Sequence, residues 1–472
     1  MSTVPCRRFL APCLSLLAIW SVSGAILEAA PRNVVFAQDV GLGGTGVLQH
    51  EPSIAFNPAN PANLVITFPD VYGPGSVPGG DCRASFTTDG GNTWNPGGVV
   101  PLEQRPGATN VQCGDPSIAS DPQGNFYIAY LNANSGGAFA WDVFVAKSTD
   151  GGNSFPAHSV AVPGILGVNY ADKPYIGADN QPASPFLGSL YVAWTDFGNK
   201  QFIKTVFSRD GGATWSAPTA VSRAARSNNI TGALPVVAPD GTVYVFWASI
   251  LPAMDGLTIQ FAKSSNGGSS WGPPSVVASR LPSPGFFNLK NTELGWGTGP
   301  FDGLRGSSFP AVAVAPDGTL YVAWTDFPAG TCTALDQVGD FACSNSDVRL
   351  SVSRDSGKKW TAPAKVNDDT GQSDQFYPWI AAHPDGLLSL SWLDRRLDPN
   401  NVNYNAFYTN TSDGIAFLPN VRVSSSTSIV GTTRFVGDYT GLAATSTGVF
   451  PVWGDVRFST PTDFTAKGTL QP

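Results

Sequence analysis

The chain has 472 residues, of which 42% are hydrophobic and only 13% charged, with 52 glycines and 39 prolines. That profile fits short strands joined by many turns and excludes a disordered or coiled-coil chain. A net charge of −8, with Lys and Arg scattered, argues against nucleic acid as a partner.

Residues 1–30 read as a secretory signal. Arg7 and Arg8 are the basic start, Phe9 to Trp20 is apolar, and small residues follow at Ser23-Gly24-Ala25 and Ala29-Ala30. Cleavage is expected after Ala25 or Ala30. No other apolar run is long enough to span a bilayer, so residues 31–472 are expected to form one soluble, monomeric domain. Its place would be outside the cell or in the periplasm. Four cysteines remain after processing, and their closeness in sequence predicts the disulfides Cys82–Cys113 and Cys332–Cys343. Without Cys-x-x-Cys spacing a structural zinc is not expected, and no cofactor is implied.

The mature chain then repeats itself. An orphan β-rich stretch, 33–40, is followed by seven copies of an inner-strand phrase beginning at Pro52, Pro116, Pro174, Pro235, Pro310, Pro378 and, in weaker form, Tyr439. A turn leads from each into a second strand, such as Leu190–Trp194, Leu320–Trp324 or Val449–Trp453. An alternating third strand follows, and then an eight-residue turn. The turn reads TTDGGNTW from Thr87, STDGGNSF from Ser148, SRDGGATW from Ser208, SSNGGSSW from Ser264 and SRDSGKKW from Ser353, with a shortened copy, TSDGIAF, from Thr411. Ser, Thr and Asp accept hydrogen bonds from turn N–H groups, glycine supplies φ > 0, and the closing aromatic is expected to pack on its own sheet.

A repeat of tens of residues means an array of one supersecondary unit. The predicted class is therefore all-β: a single propeller of four-stranded antiparallel blades. Seven inner strands favour seven blades, with six as the alternative. The seventh unit runs out before its outer strand, so stretch 33–40 is expected to supply it and close the ring.

The turn pattern S/T-x-D-x-G-x-x-W/F resembles the Asp-box of the sialidase superfamily, and the likeness extends over nearly the whole mature chain. It implies a six-bladed relative in which three arginines clamp a sugar carboxylate, a Tyr paired with a Glu is the nucleophile and an Asp is the acid/base. This chain departs from that pattern. The family's early Arg-Ile-Pro phrase is replaced by His50-Glu51-Pro52-Ser53-Ile54, and the mature chain has just Glu51, Glu103 and Glu293.

Connections from the outer strand to the next inner strand, and from the second to the third, are long and irregular, so function is expected at their end of the ring. The candidates flank the inner and second strands there. Tyr377, Tyr439, Asp374, Asp438 and Asp115 are the proposed catalytic set, and Arg305, Arg395, Arg396, Arg434 and Arg457 the proposed substrate-binding set. Glu51 and Asp172 flank inner strands in the same way. The repeated aspartates of Trp194-Thr195-Asp196, Trp324-Thr325-Asp326, Trp392-Leu393-Asp394 and Trp453-Gly454-Asp455 read as turn caps.

Other motifs carry less. Gly41 to Gly46 matches GxGxxG but precedes a strand, so a phosphate would meet no helix N-terminus. Asp368-Asp369-Thr370-Gly371 is oxygen-rich but reads as a solvated acidic loop rather than a calcium site. Two functions remain open. One is an exported, sialidase-like glycoside hydrolase acting on an acidic glycan, and the other a non-catalytic propeller that binds glycan or protein through its long-loop face.

Overall fold

A computed structural model describes the chain apart from residues 2–29, 43–48, 71–79, 137–139, 166–169, 199, 224–229, 251–255, 290–303, 335–340, 431–435, 459–460 and 472. The expected signal segment therefore lies almost wholly outside the described residues.

Six blades are four-stranded antiparallel sheets whose inner strands are Ser53–Asn57, Ala108–Ser120, Ala171–Ala178, Ile230–Val237, Ala311–Val314 and Gln375–Ala382. The seventh is built on Gly441–Ala444 and Gly448–Asp455. Each inner strand touches the next around the axis, and Gly441–Ala444 returns to Ser53–Asn57, so the ring is closed at seven blades. The last blade takes strands from both chain ends. Val34–Phe36 pairs with Gly468–Leu470, and Val40–Gly41 with Thr462–Thr465. The expected single outer strand is thus two short pieces, matching a third strand that is itself interrupted.

Second strands lie between neighbouring blades, which is why they read as unbroken apolar runs. Every residue of Leu190–Asp196, Leu320–Asp326 and Leu388–Asp394 is buried. Trp194, Trp247, Trp324, Trp392 and Trp453 occupy one equivalent position in five of these strands, all fully buried. Each supplies roughly 4–6 kcal/mol of hydrophobic stabilisation.

The eight-residue turns are latches between blades. In the copy starting at Ser148, Ser148 Oγ donates to Asp150 Oδ1 at 2.7 Å and accepts from Gly152 N at 3.0 Å, while Ser154 N and Oγ donate to the same carboxylate. Burial is the largest single influence and raises the Asp150 carboxyl, but those bonds favour the anion and together outweigh it, holding the group at about 2. Gly152 has φ +94°, and a Cβ there would collide with Val65 of blade 1. A Cβ at Gly91, Gly357 or Gly414 would likewise collide with Phe450, Phe261 or Val352 of the preceding blade, while Gly268 is tight against Phe207 and Tyr191 and Gly212 makes ordinary contact with Tyr127. Two of the closing aromatics also reach across, beyond the expected packing on their own sheet. Trp215 Nε1 donates to Ser159 Oγ of blade 2, and Trp360 packs edge-on against Phe246 and Phe261 of blade 4.

Both expected disulfides are present, Cys82–Cys113 and Cys332–Cys343. The second clamps a small extra sheet at the long-loop end, made of Phe286–Leu289, Leu304–Ser307, Cys332–Ala334 and Phe341–Cys343, in which Cys332 and Cys343 are direct cross-strand partners.

Candidate functional site

Several inner strands begin with a register shift at the long-loop end, at Gly114/Ser117, Asp172/Tyr175 and Phe376/Trp379. At each shift the residue just before a proline sits at positive φ: Asp115 (46°), Lys173 (50°) and Tyr377 (53°), with Glu51 (55°) before the first blade. Non-glycine residues rarely adopt this conformation, and a following proline restricts them further, so four such residues store strain of about 1–3 kcal/mol each. Strain of this kind persists only where the surrounding structure over-determines it.

Here the surrounding structure is a charge cluster over the axis. Lys173 Nζ lies 2.5 Å from Asp438 Oδ2 and 3.5 Å from both Glu51 Oε1 and Asp115 Oδ1. Blades 1, 2, 3 and 7 therefore converge on one ammonium. Arg305, carried by the disulfide-clamped sheet, places Nη2 at 2.9 Å from Asp438 Oδ2. Tyr377 OH donates to Arg305 O at 2.7 Å, and Ser307 Oγ donates to Asp438 O at 3.0 Å, tying that sheet to blades 6 and 7. Beneath the charges, Tyr175, Trp379 and Tyr439 form an aromatic trio: Tyr175 stacks on Trp379 with ring centroids 5.7 Å apart and meets Tyr439 at a tilt, 5.2 Å away.

Burial sorts the members. The side chains of Lys173, Glu51 and Asp438 are at most 5% exposed, whereas Asp115 and Arg305 keep 13% and 29% of theirs open. The pKa shifts follow. Burial alone would discharge Lys173, but the carboxylates of Asp115, Asp438 and Glu51 outweigh it and hold the ammonium well above the ordinary value. Burial, aided by repulsion from Asp115, pushes Asp172 up to about 8 against the pull of Lys173. Burial would also raise Asp115, yet Lys173 and hydrogen bonding with Glu51 and then Asp172 hold it below the ordinary carboxylate value. Burial raises Glu51 and keeps Tyr377 and Tyr439 as phenols. Two adjacent carboxyl groups thus have opposite protonation at neutral pH, the arrangement that assigns acid and base roles in enzymes.

Of the residues singled out by sequence, Tyr377, Tyr439, Asp438, Asp115 and Arg305 come together here. Asp374 and Arg395 do not. They form a fully buried pair at 3.3 Å inside blade 6, where Asp374 also accepts from Asn401 Nδ2 at 2.7 Å. Arg396 is held by Asp394 at 2.9 Å and by Asp368 at 2.5 Å. Arg457 binds Asp39 at 2.6 Å and Asp455 at 2.7 Å, joining the N-terminal segment to blade 7. Arg434 lies outside the described residues. Asp196, Asp394 and Asp455 each cap the turn two residues on, through Gly198 N, Arg396 N and Arg457 N, whereas Asp326 accepts from the next residue, Phe327 N. In the acidic loop, Asp369 faces Lys365 and Arg396, cations where a calcium ion would need room.

Sequence reasoning missed Lys173 as the hub and did not select Asp172. The signal was present: Glu51, Asp115, Lys173 and Tyr377 all stand immediately before the proline that opens an inner strand.

No protein-family model and no curated protein sequence matches the chain. Solved structures do. A polysaccharide lyase, an ulvan lyase, aligns with a TM-score of 0.51 at 11% identity, covering 91% of this chain and 95% of the lyase. An α-L-arabinofuranosidase of Fusarium graminearum solved with arabinobiose gives 0.49 at 10% identity, over 91% of this chain and 97% of that one. A Hadza microbial sialidase gives 0.45 at 14% identity, over 75% and 66%. The likeness is one of fold. At this identity it says nothing of which residues act.

Proposed function

We propose that the chain is an exported carbohydrate-active enzyme, a glycoside hydrolase that works over the wide end of the ring with Asp172 as proton donor. The observation that carries this reading is the convergence of charges beside Asp172: its chain neighbour Lys173 lies 3.5 Å from Asp115 and 2.5 Å from Asp438, and Arg305 lies 2.9 Å from Asp438. In that setting burial pushes Asp172 up to about 8 while Lys173 holds Asp115 below the ordinary carboxylate value. A glycan as substrate is supported by the shared fold with a lyase solved with a bound -[GlcA(1-4)Rha3S]- segment. Export is supported by the two disulfides and by the expected signal at residues 1–30.

In the proposed step Asp172 gives its proton to the glycosidic oxygen as that oxygen takes the C–O electron pair. Two neighbouring carboxylates then face Lys173 and Arg305, whose charges stabilise them. Water adds to the anomeric carbon, and its proton returns to Asp172. Arg305, a partly open guanidinium, is the group suited to a carboxylate on the substrate. Phenols held far above neutrality are poor bases, so Tyr377 and Tyr439 serve here as hydrogen-bonding walls.

The test is turnover of a panel of neutral, uronic-acid and sialic-acid glycosides. Turnover on at least one substrate is expected to fall by about 10²-fold or more in Asp172→Asn. In the native protein kcat should decline as pH rises through about 8, where Asp172 loses its proton. Capture of a glycan that is recovered intact, with no turnover on any substrate, would make the chain a binding propeller instead.

A further inference from the structure

Asp172 is also one wall of a cleft of about 400 Å³ between blades 2 and 3, whose other walls are Trp141, Tyr170 and Phe197. Trp141 lies near the start of the third strand of blade 2, Ala140–Ser148. Tyr170 and Phe197 flank the first two strands of blade 3, Ala171–Ala178 and Leu190–Asp196. Backbone contacts set the three rings in place. Tyr170 is bridged in parallel to Trp141, and Phe197 N donates to Tyr170 O at 2.8 Å. The Trp141 and Tyr170 rings meet edge to face, 6.4 Å apart at 79°. All three aromatic residues are half-buried, so each leaves ring surface open to the cleft.

The chemistry of these walls is unlike that of the neighbouring cluster. The cleft's ionisable carboxyl is protonated at neutral pH, and no Lys or Arg lines it among the described residues. The cations Lys173 and Arg305 are instead engaged with Asp438. A charged ring entering the cleft would lose water and gain no counter-charge. A neutral sugar ring loses nothing of the kind. Its C–H face carries slight positive charge, which suits the negative face of an aromatic ring, and its hydroxyls can meet the Asp172 carboxyl.

We propose that this cleft is a subsite for an uncharged pyranose unit stacked on Trp141, on one side of the bond that Asp172 protonates. This rests on the reading of Asp172 as proton donor and adds a substrate class to it: a glycan with a neutral unit next to the point of cleavage.

The test uses unreactive probes, the methyl glycosides of glucose, galactose and rhamnose, with methyl glucuronide as the charged comparison. Binding is followed by tryptophan fluorescence and saturation-transfer NMR on residues 31–472. At least one neutral glycoside is expected to bind, more tightly than the glucuronide. Trp141→Ala should weaken it about tenfold, with the thermal midpoint unchanged. Phe197→Ala serves the same purpose if Trp141→Ala does not fold. Equal or tighter binding of the glucuronide, no binding of any neutral glycoside, or binding indifferent to both substitutions overturns the proposal. The two readings fail separately. Neutral binding that depends on Trp141, with turnover indifferent to Asp172→Asn, sinks the catalytic reading alone. Turnover that needs Asp172, with binding and KM indifferent to Trp141→Ala and Phe197→Ala, sinks the subsite alone.

Discussion

Six of the seven seams between blades are closed one way and the remaining seam another. Each of the six boxes organises its own turn within about eight residues and presses a glycine on the blade before it. Blade 7 has no box to set against blade 6. That seam is held instead by the start of the chain. Arg32 reaches Asp385 at 2.5 Å, Asn410 Nδ2 donates to Arg32 O at 2.7 Å, and Phe36 packs on Tyr408 at 5.2 Å. His383 bridges blade 6 to Thr445 O of blade 7 at 2.6 Å through Nδ1 and accepts from Ser389 Oγ at 2.7 Å through Nε2. The boxes are local and cheap in loop entropy, whereas the seventh seam joins groups from opposite ends of the sequence. A propeller can therefore omit one latch if its termini interlock at that same place.

The largest effect that tests this contrast is removal of residues 31–41. It takes away both outer-strand pieces of blade 7 and the Arg32 and Asp39 contacts, leaving unpaired edges at Thr462–Thr465 and Gly468–Leu470. Loss of the cooperative unfolding transition or aggregation is expected, a cost of about 5 kcal/mol or more. A deletion variant that melts like the parent would show that the seam does not need the N-terminal segment. Next comes Gly152→Ala, which puts a Cβ against Val65 at a left-handed position. A loss of about 3 kcal/mol by chemical denaturation is expected, and no loss would mean the boxes are turns without a latching role.

The smallest effect separates the two seam types by pH. Burial lowers the His383 pKa from its ordinary 6.5, so the unfolded chain takes up a proton that the native state refuses. Stability should fall as pH drops below 6.5, by at most about 2 kcal/mol at pH 5. The box carboxyls Asp150 and Asp210 are depressed to about 2, so their contribution is present above the unfolded value of 3.8 and fades only as pH falls from there through 2. His383→Gln should flatten the change in melting temperature between pH 7 and pH 5 while leaving the drop below pH 4 intact. An unchanged slope above pH 5 would remove His383 from the account.

The ring was legible because its signals are local and repeated. Seven inner phrases against six boxes already pointed to a unit completed from elsewhere, and residues 33–40 were the free strand. Cys82 with Cys113 and Cys332 with Cys343 could be read from spacing for the same reason. The site was legible only in part. Arg395 and Arg305 both read from the sequence as cations in long connections at the same end of the ring. One is sealed against Asp374 within blade 6, while the other is carried to the axis by a sheet whose strands come from two separate insertions. Nothing local distinguishes them, because the placement of Arg305 is set by pairing across the ring's mouth. Lys173 was hidden for a different reason. A single lysine gains its meaning from carboxylates far away in the chain, Glu51 and Asp438 among them.

Interlocked termini also set an order of assembly. A ribosome releases Val34 long before Leu470, so the partners in Val34–Phe36 and Gly468–Leu470 cannot meet until all seven blades have been made. Until then the nascent chain has to carry an open arc with bare apolar flanks, the state in which a many-bladed protein is most exposed to misassembly.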